Sequence, residues 1–184
     1  MKQVYLLTGK PGTGKTSLIK EALAKINITA GGFYTEELRT QGVRQGFRLV
    51  TLDGQTATLS HVNIKSPYRV SKYGVDVEAL ERVGVSALEK AARECDLVVI
   101  DEIGKMELFS EKFRNAVSSI IDSGKKVLGT IMLNPNPFAD AIKRNPRVNV
   151  LTLTAENRRQ ALDEILRWLG TAPEPVGLAE KRQE

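Results

Sequence analysis

Eight residues constrain this chain more than any other stretch: Gly9-Lys10-Pro11-Gly12-Thr13-Gly14-Lys15-Thr16. They fill every fixed place of G-x-x-x-x-G-K-S/T. The required context is also present, with the apolar run Val4-Tyr5-Leu6-Leu7 before the motif and the helical Ser17-Leu18-Ile19 after it. A phosphate chain needs several N–H donors aimed at one point, and glycines let the backbone come that close. The following helix adds its unpaired N-terminal N–H groups and the positive end of its dipole. Lys15 can then reach the β- and γ-phosphates, and the Thr16 hydroxyl can ligate Mg²⁺. A glycine-bearing turn that binds nothing has no need of two glycines, a lysine and a hydroxyl in register. The stretch reads as a nucleotide-binding P-loop.

A second motif complements it. Leu97-Val98-Val99-Ile100 runs straight into Asp101-Glu102, the Walker B pattern with a doubled acid. At the carboxyl end of its strand, Asp101 is placed to hold the Mg²⁺ bound by Thr16, directly or through water, and Glu102 to polarise a water for in-line attack on the γ-phosphate. Two acids can also merely end a buried strand, a reading that loses ground beside a complete P-loop. Consecutive side chains of an extended strand point to opposite faces, so both acids serve one site only if the chain turns right after Ile100. Asp101-Glu102-Ile103-Gly104 also fits D-x-x-G, as in regulatory GTPases, but no guanine-reading N-K-x-D accompanies it. Thr130, polar at the end of the apolar run Val127-Leu128-Gly129, reads equally as a γ-phosphate sensor or a strand-end cap.

Along the chain, Leu18, Ile19, Ala22, Leu23 and Ile26 mark a helix that Asn27 is expected to end. Phe33 to Leu38 reads as a strand. From about 40 to 75 the pattern alternates around Asp53-Gly54, a hairpin signal, and predicts a small antiparallel β insertion. Asp76 is expected to cap a helix with Leu80, Val83, Leu88 and Ala91 inward. Phe113, Ala116, Val117, Ile120 and Ile121 define another helix, and a short basic one is expected from Phe138 to Arg144. Asn149 to Leu153 reads as a strand. Thr154 is expected to cap a last helix, with a mobile tail over 171–184. Helices alternating with continuously apolar strands predict an α/β fold, a mainly parallel sheet covered on both faces. Residues 1–170 are expected to form one domain.

The 184 residues suit one such domain with a full core. No apolar run approaches the ~20 residues that span a bilayer, no signal-peptide pattern opens the chain, and a cytoplasmic location is expected. One Cys, Cys95, and one His, His61, exclude the usual zinc ligand sets. A net charge of +5 fits an anionic nucleotide substrate as well as a nucleic-acid surface, and no run of five basic residues points to the latter. Arg144 and Arg147 are candidates for a cis arginine finger and Lys105 for neutralising transition-state charge, although surface charge is the commoner role of such residues.

Four blocks together resemble one known family: the P-loop itself, Gly32-Phe33-Tyr34-Thr35-Glu36-Glu37, Asp101-Glu102-Ile103-Gly104-Lys105-Met106-Glu107-Leu108-Phe109-Ser110, and Thr154-Ala155-Glu156-Asn157-Arg158. They look like the thermophilic-type P-loop nucleoside-triphosphate phosphatases, over the chain to about Leu169. The resemblance implies a RecA-like P-loop fold and slow Mg²⁺-dependent hydrolysis of ATP, GTP, CTP and UTP to diphosphates. It also makes Asn157 and Arg158 candidates for contacts to base or ribose. One departure is Ile131-Met132-Leu133-Asn134, where family members often continue Ile-Pro. The rival readings are a nucleotide or nucleoside kinase and a partner-controlled module that binds RNA or protein. Both would use the same phosphate cradle.

Overall fold

The computed structural model describes residues 1–170, so the expected tail lies outside the described residues. Among them, nine strands form one sheet: β1 (Val4–Thr8), β2 (Ala30–Thr40), β3 (Val43–Thr51), β4 (Thr56–His61), β5 (Arg69–Val70), β6 (Tyr73–Val75), β7 (Leu97–Ile103), β8 (Lys126–Ile131) and β9 (Val148–Thr152). Their order across the sheet is β5-β6-β4-β3-β2-β7-β8-β1-β9. The half from β2 to β9 is parallel, and the half from β2 to β5 is antiparallel.

Strand β2 joins the halves. Its start pairs with β7 in parallel, Ala30 with Leu97 through Phe33 with Ile100, and from Phe33 to Thr40 it pairs antiparallel with β3. Gly32 makes the first pairing possible. Its φ is +111°, and a Cβ there would stand 2.1 Å from the Val99 carbonyl oxygen. Beyond Phe33 the strand runs on past the end of its β7 ladder, so the β2–β3 hairpin projects at the carboxyl end of the parallel strands.

The helices cover both faces because the parallel strands are apolar on both. Val4, Leu6, Val98, Ile100 and Val127 pack into one core with Leu88, Phe113, Val117 and Ile142. Their neighbours Tyr5, Leu7, Val99 and Leu128 pack on the other side with Leu18, Ile19, Ile165 and Trp168. Thus α1 (Lys15–Ala24) and α6 (Arg158–Leu169) lie on one face, and α3 (Ser86–Glu94), α4 (Glu111–Asp122) and α5 (Pro137–Arg144) on the other. Full burial of one such aliphatic or aromatic side chain is worth about 1.5–3 kcal/mol. The short α2 (Val77–Ala79) continues into a π-helical stretch, Leu80–Val85, that leads straight into α3.

Asp76 caps α2 as expected, its carboxylate accepting from the Ala79 N–H at 2.9 Å. Two expected ends are corrected. Helix α1 stops at Ala24 rather than at Asn27, because the N–H groups of Lys25 and Ile26 turn back to Ala22 and Leu23 and tighten the last turn. Thr154 does not cap α6: its N–H donates to Asn157 Oδ1 at 2.8 Å, and Asn157 is the N-cap residue. The side-chain amide of Asn157 also donates to the Thr152 carbonyl at 2.8 Å, which winds 154–157 into a turn before the helix can start.

Candidate active site

The P-loop spans the turn from β1 to α1. Gly9, Gly12 and Gly14 all have positive φ, and Gly14 is the N-cap of α1 with no capping side chain. The first turn of α1 carries no acid, so its N–H groups and dipole face the loop unopposed. Lys15 donates to the carbonyls of Gly9 and Lys10, both at 3.0 Å, which holds the ammonium in the concavity of the loop. Thr13 braces the turn by donating its hydroxyl to the Lys10 carbonyl at 3.0 Å, while Lys10 and Pro11 are exposed on the rim.

Asp101 reaches this loop from β7, which β8 separates from β1. Its Oδ2 accepts from the Thr16 hydroxyl at 2.5 Å, and its Oδ1 from the Thr130 hydroxyl, at the end of β8, at 2.6 Å. Burial pushes the Asp101 carboxyl above its ordinary range, opposed by the two hydroxyls and by the charges of Lys15 and Lys20. A buried carboxylate and a hydroxyl that meet on adjoining elements are a donor set suited to Mg²⁺, which takes few protein oxygens and keeps waters and substrate phosphates. Thr16 and Asp101 are the residues able to hold it.

No turn follows Ile100, since β7 runs on to Ile103, and the alternation is broken in another way. The β7–β8 register breaks between Ile100 and Ile103, which frees Asp101 and Glu102 from the regular alternation. The intervening Asp101–Glu102 peptide is cis. The Glu102 side chain lies against Gly104, where a Cβ would come within 2.4 Å of Glu102 Oε1. Burial raises its pKa, the negative charge of Asp101 raises it further, and Lys15 lowers it. Both acids therefore act electrically on the same lysine.

Glu107, in the turn Glu107–Phe109, is a third buried carboxyl and was missed in the sequence. Only 4% exposed, it is held well above the ordinary glutamate range by burial and by the charges of Glu102 and Asp101. The signal available was its position between Met106 and Leu108, two apolar residues that pack on the core.

The other candidates divide. Arg158, first residue of α6, donates to the Gly14 carbonyl at 3.1 Å and pairs with Glu21 at 3.0 Å, which sets it directly beside the loop. Asn157 adjoins it with its amide engaged in the β9–α6 connection. Lys105 is exposed beyond Gly104. Arg147 is at the wrong end of the molecule for a finger: its guanidinium binds the Ile121 and Asp122 carbonyls at the end of α4, next to the start of β9. Arg144 ends α5 near the same place, because α5 runs back from the carboxyl to the amino edge of the sheet.

A phosphate loop on the first strand, one strand between it and the acidic strand, and helices on both faces define a P-loop NTPase fold of the RecA-like kind. The family described as NTPase matches residues 4–166, and the chain belongs to it. It is 49% identical over 161 residues to nucleoside-triphosphatase THEP1 of Thermotoga maritima, covering 88% of this chain and 92% of that one. To the human cancer-related nucleoside-triphosphatase it is 39% identical, over 90% of this chain and 96% of that one. The crystal structure of THEP1 from Aquifex aeolicus superposes with a TM-score of 0.83 at 39% identity, covering 90% of this chain and 98% of that one. The solution structure of the human protein gives 0.77 at 38% identity, covering 95% of this chain and 100% of that one.

Proposed function

We propose that the chain is a Mg²⁺-dependent nucleoside-triphosphatase that converts ATP, GTP, CTP and UTP to diphosphate and phosphate. The observation that carries the reading is the convergence of Lys15, Thr16, Asp101 and Glu102 on one end of the sheet, in a chain whose relatives are named nucleoside-triphosphatases. Water oxygen attacks the γ-phosphorus as its bond to the β–γ bridging oxygen breaks, and the diphosphate leaves. Glu102 accepts the water proton. The amides of the loop and Lys15 stabilise the charge on the transferring group. Thr16 and Asp101 would hold the metal, which would supply neutralising charge to the phosphate oxygens. Arg158 lies on the β9 side of the loop, where it can support the base or ribose without reading a particular base.

The test is phosphate release from each of the four triphosphates, with Mg²⁺ and with EDTA, in the parent and in Lys15→Ala. All four are hydrolysed by the parent with Mg²⁺, none with EDTA, and none by a folded Lys15→Ala protein. Transfer of label to an added nucleoside or monophosphate, in place of free phosphate, would establish the kinase instead.

A further inference from the structure

The projecting β2–β3 hairpin brings a second charged group to the phosphate end of the sheet. Tyr34, Glu36 and Arg48 stand on the face that Asp101 shares with α1. Lys20 Nζ lies 4.1 Å from the centre of the Tyr34 ring and 3.4 Å from Glu36 Oε1. Arg48 sets Nε and Nη2 on the other oxygen of Glu36, at 2.9 and 2.7 Å. Lys20 is one helical turn beyond Thr16, and its charge acts on Asp101. Register fixes the height. Phe33 pairs with Ile100 and Glu36 with Arg48, so both charged residues stand just past the level of Asp101. Strand β3 is two strands, about 10 Å, from β7, which carries Asp101 and Glu102, and an extended arginine spans most of that gap toward the acids; the loop itself follows β1, two strands further on.

We propose that Arg48 is a catalytic arginine supplied in cis, held on Glu36 in this structure and passed to the γ-phosphate when Mg²⁺·NTP binds. The inference rests on the hydrolase reading above. The hold is weak, since the Arg48 side chain is 47% exposed and both of its N–H groups address a single carboxylate oxygen. A γ-phosphate offers the planar guanidinium several oxygens at once, a better bidentate match. Lys20 stays behind to neutralise Glu36. The competing arginines are committed elsewhere: Arg158 to Gly14 and Glu21, Arg147 to the end of α4, and Arg44, on the opposite face of the same hairpin, to Glu37 and the Tyr73 hydroxyl.

The test compares Arg48→Ala and Arg48→Lys with Arg44→Ala, which removes a hairpin arginine that faces away from the loop. Arg48→Ala lowers kcat by about 10³-fold with KM within a few-fold of the parent. It also loses the Mg²⁺·ADP·aluminium fluoride complex that the parent forms, as read by retention of nucleotide on gel filtration. Added guanidine restores part of its rate, Arg48→Lys is intermediate, and Arg44→Ala keeps the parent rate. An Arg48→Ala protein that turns over normally and still traps ADP·aluminium fluoride overturns the proposal. So does an equal loss of rate in Arg44→Ala, which would reduce Arg48 to a brace of the hairpin. Either result leaves the hydrolase assignment standing, provided that the parent releases phosphate and Lys15→Ala does not.

Discussion

Asp101 and Glu102 are consecutive carboxylates with different surroundings, and the roles proposed for them differ accordingly. Asp101 is held on both oxygens by hydroxyls, one from Thr16 of the loop and one from Thr130. Glu102 instead lies against Gly104, its side chain filling the space that a Cβ there would need. Glu102→Gln keeps the shape and the hydrogen bonding but loses the anionic acceptor. Single-turnover hydrolysis falls by about 10²–10⁴-fold, roughly 3–5 kcal/mol of barrier, while equilibrium binding of Mg²⁺·ATP changes little. Asp101→Asn behaves differently, with turnover lost and the Mg²⁺ concentration for half-activity raised. A Glu102→Gln protein within a few-fold of the parent would mean that another group orients the water, leaving Glu102 a strand-end acid.

At the scale of elements, the site depends on how closely β2 can approach β7. Gly32 sits where the strands touch, with a φ of +111° and a would-be Cβ 2.1 Å from the Val99 oxygen. Gly32→Ala must therefore adopt a strained backbone and push β2 away. It costs about 3 kcal/mol or more, read as a lower urea midpoint, and its activity falls beyond that of the folded fraction because the hairpin carrying Glu36 and Arg48 moves with β2. The P-loop and the doubled acid are legible in the sequence because their chemistry needs consecutive residues, and the parallel core is legible because both faces of its strands are apolar. The double pairing of β2 is not, since a strand's partners are chosen in space. The Glu36–Arg48 pair is a product of hairpin register and leaves no local pattern. The placement of Arg144 and Arg147 is not legible either, because a helix after a loop can run either way along the sheet, and α5 runs away from the P-loop. Asn157 displaced Thr154 as the cap through side-chain bonds that residue type alone does not rank.

For the molecule as a whole, the site is a place where stability has been given up. Asp101, Glu102 and Glu107 are three carboxyls in or beside one wall, all raised by burial, Glu102 also by the charge of Asp101 and Glu107 by the charges of Glu102 and Asp101, with Lys15 as the nearby cation for the first two. Glu107 carries the largest part of the effect, since it is almost fully buried and feels the charges of both Glu102 and Asp101. Its folded pKa stands above the ordinary value of 4.5. Between the two values the native state keeps a proton that the unfolded chain has lost. Stability is therefore greatest below the unfolded pKa and declines as pH rises through the folded one, by at most about 1.4 kcal/mol per pH unit for each such group. Glu36, Glu37, Asp53 and Asp96 have lowered pKa values and act in the opposite sense, but their contribution is lost only as pH falls below the ordinary values of 4.5 for glutamate and 3.8 for aspartate. Urea midpoints of the nucleotide-free protein in EDTA should accordingly fall from pH 5 to pH 8. Glu107→Gln, which keeps an oxygen for the backbone N–H donors but cannot ionise, should raise the midpoint at pH 8, leave it nearly unchanged at pH 5, and flatten the slope. A parent midpoint independent of pH across that range, or a Glu107→Gln protein with the parent's slope, would show that the buried charge is compensated within the fold.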